Sequence, residues 1–473
     1  MSRLIVISNR VTAGASASGS QGGLWVALAA ALRQYRGIWF GWSGGITEKF
    51  TGRIDLQRHD GVTTATIDLE EHDVDEYYNG YANRTLWPLF HYRIDLAEYD
   101  RSFGSGYERV NTQFAETVAP LIDPDDLVWI HDYHLIPLGS QLRERGVKNR
   151  IGFFLHIPWP PARLLVSLPF HERLVRSMLA YDLIGFQTEE WLESFRHYVE
   201  RELGAVMDKD GTVHLDDRTV KVGVFPIGID FEEFREAAGS DVARKACDRL
   251  LKSAEGKKII VGVDRLDYSK GLEERFAGYR RFLEENEDRR GHLFLLQIAP
   301  PSRGEVHTYE TIRERLDELS GRINGEFAEI DWVPIRYVNQ GYDRADLAGF
   351  YRASQIGLIT PLRDGMNLVA KEYVAAQDPE DPGVLILSRF AGAALQLPDA
   401  LLVNPYSKDE ISDAIRTALE MPNEERIRRW RRMEESVRTE DVVAWREAFV
   451  TALKAVEVPH AGSARSQPIP SAT

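Results

Sequence analysis

The chain has 473 residues, more than one hydrophobic core usually holds, which predicts two domains. Its 58 Lys and Arg against 73 Asp and Glu leave a net charge of −15, which speaks against non-specific binding to nucleic acid or to an anionic membrane and confines any basic site to a local pocket. The one cysteine, Cys247, excludes an intrachain disulfide and fits a reducing cytoplasm.

The first apolar run, LIVIS at 4–8, is too short for a signal peptide or a membrane span, and no later segment reaches membrane length, so a cytoplasmic protein is expected. The run reads as a buried strand and ends in Asn9 and Arg10. SQGGLWVALAAAL, 20–32, puts Gly22 and Gly23 at the start of an Ala- and Leu-rich helix. Such a pair either lets backbone approach a phosphate closely or simply makes a flexible loop. No GxGxxG fingerprint follows any predicted strand, which argues against a nicotinamide dehydrogenase. From Gly44 to about Asp68 the chain is polar and aperiodic and reads as a surface excursion. Residues 75–93 are dense in aromatics, including Tyr78 and Trp87, suited partly to core and partly to stacking on sugar rings.

Further strands are predicted at 126–130, 151–155, 182–186 and 222–226. They are followed by His131-Asp132-Tyr133-His134, by His156 and by Gln187. His131 and His134 with Asp132 make an awkward metal set with no completing Cys or His cluster, so no metal is expected; a carboxylate that orients a sugar hydroxyl suits the cluster better. Near 226–234 Pro and Gly interrupt the pattern, and the domain boundary is placed there, giving units at 1–228 and 229–458.

The second half repeats the scheme with strands at 258–263, 293–298, 333–338, 356–360, 384–388 and 400–404. Asp264-Arg265 and Lys270 follow the first, Arg303 follows the second, and Arg363-Asp364-Gly365 follow the fourth. Arg265 and Lys270 either clamp a diphosphate or are solvated beside Asp264 and Asp267. Continuous apolar strands alternating with helices predict an α/β chain with two doubly wound parallel sheets. Polar residues at so many strand ends from both halves predict a shared cleft between them. Residues 459–473, rich in Pro, Ser and Ala, read as a disordered tail.

The motifs SNR, DEYYNG, LWPLFHYR, WIHDYHL, FFLHIPWP, DLIGFQT, RLDYSKG, QIAPPSRG and TPLRDGMNLVAKEYVAAQ resemble those of the trehalose-6-phosphate synthases over residues 1–455. The resemblance implies two facing Rossmann-like domains (the GT-B architecture), the first binding acceptor and the second the nucleotide sugar, with the last helix packing back on the first. It implies a retaining transfer of glucose from UDP-glucose to glucose 6-phosphate, with no cofactor and no metal. Donor binding would fall to Gly22, Gly23, Arg265, Lys270, Tyr342, Asp364, Gly365, Met366, Asn367, Leu368, Val369, Ala370, Lys371 and Glu372, with Glu372 on the ribose. Arg10, Trp42, Tyr78, Trp87, Asp132, Gln187 and Arg303 would hold the acceptor, the two arginines on its phosphate. Asp132, His156, Arg265, Lys270 and Asp364 would be catalytic. A relative with another acceptor (a glucosylglycerol-phosphate synthase or a cyclitol pseudo-glycosyltransferase) and a non-catalytic sugar-phosphate sensor are the alternatives. Homo-oligomerisation is left open.

Overall fold

The computed structural model describes residues 3–11, 28, 32, 33, 36–59, 61–301 and 307–457. Gly22, Gly23, Arg303 and the tail therefore lie outside the described residues.

The first half builds a sheet from β1 (Leu4–Arg10), β2 (Ile38–Thr47), β3 (Asp55–His59), β4 (Val62–Glu70), β5 (Leu127–His131), β6 (Ile151–Phe154), β7 (Leu183–Phe186), β8 (Val206–Met207), β9 (Thr212–Leu215) and β10 (Arg218–Val224). Their spatial order is β3-β4-β2-β1-β5-β6-β7-β10-β9-β8. The central strands pair in parallel and are buried along their length, as their unbroken Val, Ile, Leu and Phe content requires. The sheet is nevertheless mixed: β3 runs antiparallel to β4, β9 to β10 and β8 to β9. The segment expected as a surface excursion is also corrected, since β2, β3 and β4 occupy most of it. β4 alternates β-branched and polar residues and buries Ala65, Ile67 and Leu69, so it lacks the continuous apolar run that marks the inner strands.

The second half forms a parallel sheet from β11 (Lys258–Val263), β12 (Leu293–Ile298), β13 (Ile335–Val338), β14 (Ile356–Ile359), β15 (Val384–Ser388) and β16 (Leu401–Val403). The order β13-β12-β11-β14-β15-β16 is the doubly wound one. Helix α1 (Leu272–Glu285) follows β11, and helix α2 (Leu368–Ala376) follows β14.

The chain passes from one sheet to the other through residues 225–230 and returns at 440–442. The two crossings touch: Val442 N donates to the Ile229 carbonyl at 3.0 Å, and a Cβ at Gly228 would strike the Glu440 carbonyl. Beyond the return, helix α3 (Val442–Ala455), capped by Asp441 on Ala444 N, packs on the first sheet rather than the second. Its Phe449 stacks on Trp129 at 4.5 Å and fills the space left by Gly152 and Gly185, where any side chain would meet its ring. Arg150 Nε donates to the Val456 carbonyl at 2.8 Å and ties down the end of the helix.

Phe449 is fully buried, so Phe449→Ala should cost about 3–5 kcal/mol by the usual sum of transfer and cavity terms. Urea denaturation followed by tryptophan fluorescence measures this. A loss under about 1 kcal/mol would mean that the helix contributes little to the first half.

Candidate active site

Among the parallel central strands each sheet reverses its order, between β1 and β5 in the first and between β11 and β14 in the second. Loops on either side of such a reversal diverge and leave a crevice outside the carboxyl ends of the strands. Arg10 and Asp132 end the first pair, and Asp264, Arg265 and the turn through Asp364 end the second.

In the second half, β11 runs into a short 3-10 turn, Tyr268–Lys270, whose first residue position is set by the Asp267 carboxylate accepting from Ser269 N at 2.9 Å. Gly271 then turns the chain into α1 with φ +63°, where a Cβ would strike the Thr360 carbonyl. Lys270 is directed at the turn after β14, and its Nζ donates to Asp364 Oδ2 at 2.5 Å. Asn367 Nδ2 donates to the same oxygen at 3.2 Å, while its own Oδ1 caps α2 by accepting from Ala370 N at 3.1 Å. Asn367 sits at φ +81°, a conformation that Asn tolerates better than most residues. The turn is held from behind by Ala393 N donating to the Met366 carbonyl at 2.7 Å. Burial acts to raise the Asp364 carboxyl, but the neighbouring Lys270 ammonium outweighs it and the net shift is downward, which favours the carboxylate.

Arg275, fully buried on α1, braces this floor. It donates to Asp264 Oδ2 at 2.7 Å, Gln297 Oε1 at 2.9 Å, Thr360 Oγ1 at 3.0 Å and the Lys270 carbonyl at 3.3 Å. The sequence reading missed it. Its signal was positional: Arg275 shares the helix face of Leu272, Phe276 and Tyr279, all buried.

In the first half, Arg10 lies 5.6 Å over the Trp42 ring, and Trp42 meets Tyr78 edge-on at 5.6 Å. Tyr78 stacks on His134 and is carried by a π-helix, Val74–Leu86, a rare form that recurs at functional sites. Asp132 takes φ 74° and accepts from His156 N at 3.2 Å. His156 Nε2 lies 3.1 Å from His131 Nδ1. Burial pulls the His156 imidazole down to about 3, so it stays neutral at physiological pH.

The halves meet closely here. Trp87 Nε1 donates to Asp267 at 3.4 Å, and Arg265 lies 5.9 Å over the Trp87 ring. Gly365 packs on the His156 carbonyl so tightly that a Cβ would collide with it. Arg363 stacks 3.9 Å over Tyr92. Between the halves lies a cavity of about 410 Å³. Its walls carry His156, Gln187, Arg265, Lys270, Tyr342, Asp364, Met366, Asn367, Leu368, Val369 and Glu372 from the predicted set. They also carry Asp264, expected at the cleft as a strand end but given no role there, and Ile227, Arg344 and Tyr351, which were not predicted. Arg10, Trp42 and Asp132 adjoin the cavity from the strands of the first half or their ends, and Tyr78 and Trp87 from the π-helix and the short helix that follows it. Ala370 is fully buried, and the Lys371 ammonium donates to the Ile227 carbonyl at 2.7 Å. Among the described residues no three His, Cys, Asp or Glu side chains are grouped to hold a metal, and no helix is long and apolar enough to cross a membrane.

The model of glycosyltransferase family 20 matches residues 4–455. A trehalose-6-phosphate synthase of Sinorhizobium fredii is 48% identical over 459 residues, spanning 96% of this chain and 99% of its own. A crystal structure of a UDP-forming α,α-trehalose-phosphate synthase from Burkholderia xenovorans in complex with glucose-6-phosphate superposes with a TM-score of 0.92 at 47% identity, covering 96% of this chain and 100% of that one. A structure from E. coli bound with UDP-2-fluoro glucose superposes with a TM-score of 0.92 at 43% identity and the same coverage.

Two outcomes test this geometry. Arg275→Met leaves Asp264 as a buried unpaired charge and should cost about 3–5 kcal/mol, of which Arg275→Met with Asp264→Asn should recover a large part. Chemical denaturation of both proteins decides it; equal losses would mean that charge pairing is not what Arg275 supplies. Burial pushes the Glu372 carboxyl from an ordinary 4.5 up to about 7. The folded protein then holds this proton more tightly than the unfolded chain, so stability is lost as pH rises through that window. Between pH 5 and pH 8 the melting temperature of the native protein should therefore fall relative to that of Glu372→Gln. Parallel melting curves would remove the shift.

Proposed function

The chain belongs to glycosyltransferase family 20, and from that footing we infer how its cleft works. It is a retaining glycosyltransferase of GT-B architecture that transfers glucose from UDP-glucose to glucose 6-phosphate, giving α,α-trehalose 6-phosphate and UDP. The observation that carries the reading is the cavity itself: Arg265, Lys270 and the start of α2 in the second half share its walls with His156 and Gln187 of the first.

In this reading Arg265 and Lys270 hold the donor diphosphate. Asp364 orients Lys270 through their 2.5 Å contact, and the turn from Asp364 to Asn367 receives the donor glucose. The first turn of α2, at Leu368 and Val369, presents backbone N–H groups without helical partners, a setting suited to phosphate oxygens. Glu372, on the same wall, accepts from the ribose hydroxyls, and Tyr342 flanks the nucleotide. Arg10, Tyr78, Trp42 and Trp87 take the acceptor, with Arg303 as a second cation for its phosphate. Asp132 orients an acceptor hydroxyl while its other contact fixes His156. His156, held neutral, lies near the reacting carbon as a hydrogen-bonding wall rather than as a charge.

The anomeric C–O bond to the β-phosphate breaks with its electron pair remaining on the phosphate oxygen. The C1 hydroxyl oxygen of glucose 6-phosphate bonds the anomeric carbon on the same face, and its proton passes to the departing phosphate. The charge that appears on that oxygen is met by Arg265 and Lys270, which were in place beforehand. We place the enzyme in the cytoplasm, since both substrates are phosphates that do not cross membranes unaided.

Incubation with UDP-glucose and glucose 6-phosphate, read by mass spectrometry, should yield trehalose 6-phosphate and UDP in equal amounts. Absence of that product would refute the reading. Lys270→Ala should lower kcat by about 10²–10³, because the cation acts on charge formed at the transition state, while UDP-glucose binding falls less. A folded variant with near-native kcat would remove Lys270 from the machinery.

A further inference from the structure

One peptide of the interdomain crossing is held from both sides. Ile227 N donates to Gln187 Oε1, at the end of β7 in the first half, at 2.9 Å. The Ile227 carbonyl accepts from Lys371 Nζ, on α2 of the second half, at 2.7 Å. Both side chains are almost wholly buried, Gln187 at 2% exposure and Lys371 at 1%. Ordering a lysine there costs side-chain entropy and desolvation, and a carbonyl could be satisfied by far simpler donors. The same peptide also lines the cavity, beside Leu368, Val369 and Glu372 of the very helix that sends Lys371 to it. The second crossing packs directly alongside, through Val442 and Ile229.

We propose that Lys371 and Gln187 are positioning residues that clamp the Ile227 peptide, so that seating a nucleotide against α2 is transmitted through Lys371 to the crossing and sets the two halves at reacting distance. α2 is short, and the Asn367 side chain caps its start. Leu368, Val369 and Glu372 line the cavity; Lys371, about 100° round the helix from Glu372, reaches the crossing at Ile227. A shift of the helix toward a bound nucleotide pulls on the Ile227 carbonyl, and Gln187 passes that pull to β7, whose neighbour β6 leads into His156. Lys371 thus acts through the backbone and touches no substrate. This differs from the donor contact that the sequence suggested for it.

The inference rests on the transfer reaction above, and the test separates the two. If the native protein makes no trehalose 6-phosphate, the reading of the reaction fails. With an active native protein, Lys371→Met should lower kcat at least tenfold while UDP affinity by calorimetry stays within about threefold, because the nucleotide's own contacts are intact. Gln187→Leu should lower kcat as well, and the double variant should lose much less than the product of the two, since both act on one peptide. Near-native kcat in folded Lys371→Met, or UDP affinity falling in step with kcat, would overturn the proposal. Should Lys371→Met fail to fold, hydrogen exchange on the native protein decides: UDP alone should slow exchange of the amides at 227–229, and unchanged exchange there would overturn it.

Discussion

The second half of the cleft depends on a single buried cation. Arg275 donates to the strand-end Asp264 of β11, to Gln297 on β12, to Thr360 beyond β14 and to the backbone of Lys270. These are the elements that diverge at the strand-order reversal, where parallel ladders stop and main-chain pairing can no longer fix the geometry. A planar guanidinium with five donors can bind several acceptors at set angles, which a lysine or an apolar residue cannot. The expense is visible in Asp264, whose carboxyl burial drives upward in spite of its partner. Buried pairs of this sort are weak evidence for stability and better understood as fixing one arrangement. Here that arrangement aims Lys270 at Asp364.

The site is cationic where it must be and the rest of the surface is acidic. A chain of net charge −15 repels anionic ligands at long range, so two phosphorylated substrates must be drawn by local groups. Lys270 and Arg265 are placed beside low-dielectric walls, with Trp87 under the guanidinium, where a charge is felt more strongly than in water. Asp364 keeps the Lys270 ammonium oriented until a diphosphate competes for it. Preorganisation of this kind lets the protein meet charge that develops during the reaction without reorienting at that moment.

Much of this was legible in the residues because the inner strands are buried on both faces. Runs such as KIIVGV and LFLLQI have one structural outcome, and their ends mark the cleft. β2 and β4 escaped because one carries Gly and Ser at its end and the other alternates Thr with apolar residues, so neither announces itself as continuous core. Arg275 escaped for a different reason: a lone arginine in a helix rich in Glu and Arg reads as solvated, and only the face it shares with Leu272 and Tyr279 says otherwise. Lys371 was placed on the donor because its neighbours in sequence are there. Successive helical residues point about 100° apart, and which of them meets ligand is set by the partner on the opposite side, a fact of tertiary structure.

That opposite side is the hinge, and its construction follows from the topology. A single crossing between two sheets would be a flexible tether. Returning the chain at 440–442 and burying Phe449 against Trp129 makes a second connection beside the first. Two adjacent crossings hinder twisting and sliding more than they hinder rotation about the line that joins them. Groups close to that line move little, while groups at the far rim of the cleft sweep the most. Ile227 belongs to the first crossing, whereas Arg363 over Tyr92 joins the halves through a separate pair of loops. A clamp on the line can therefore set the angle of the whole cleft through a small displacement, which places the leverage where Lys371 and Gln187 are found.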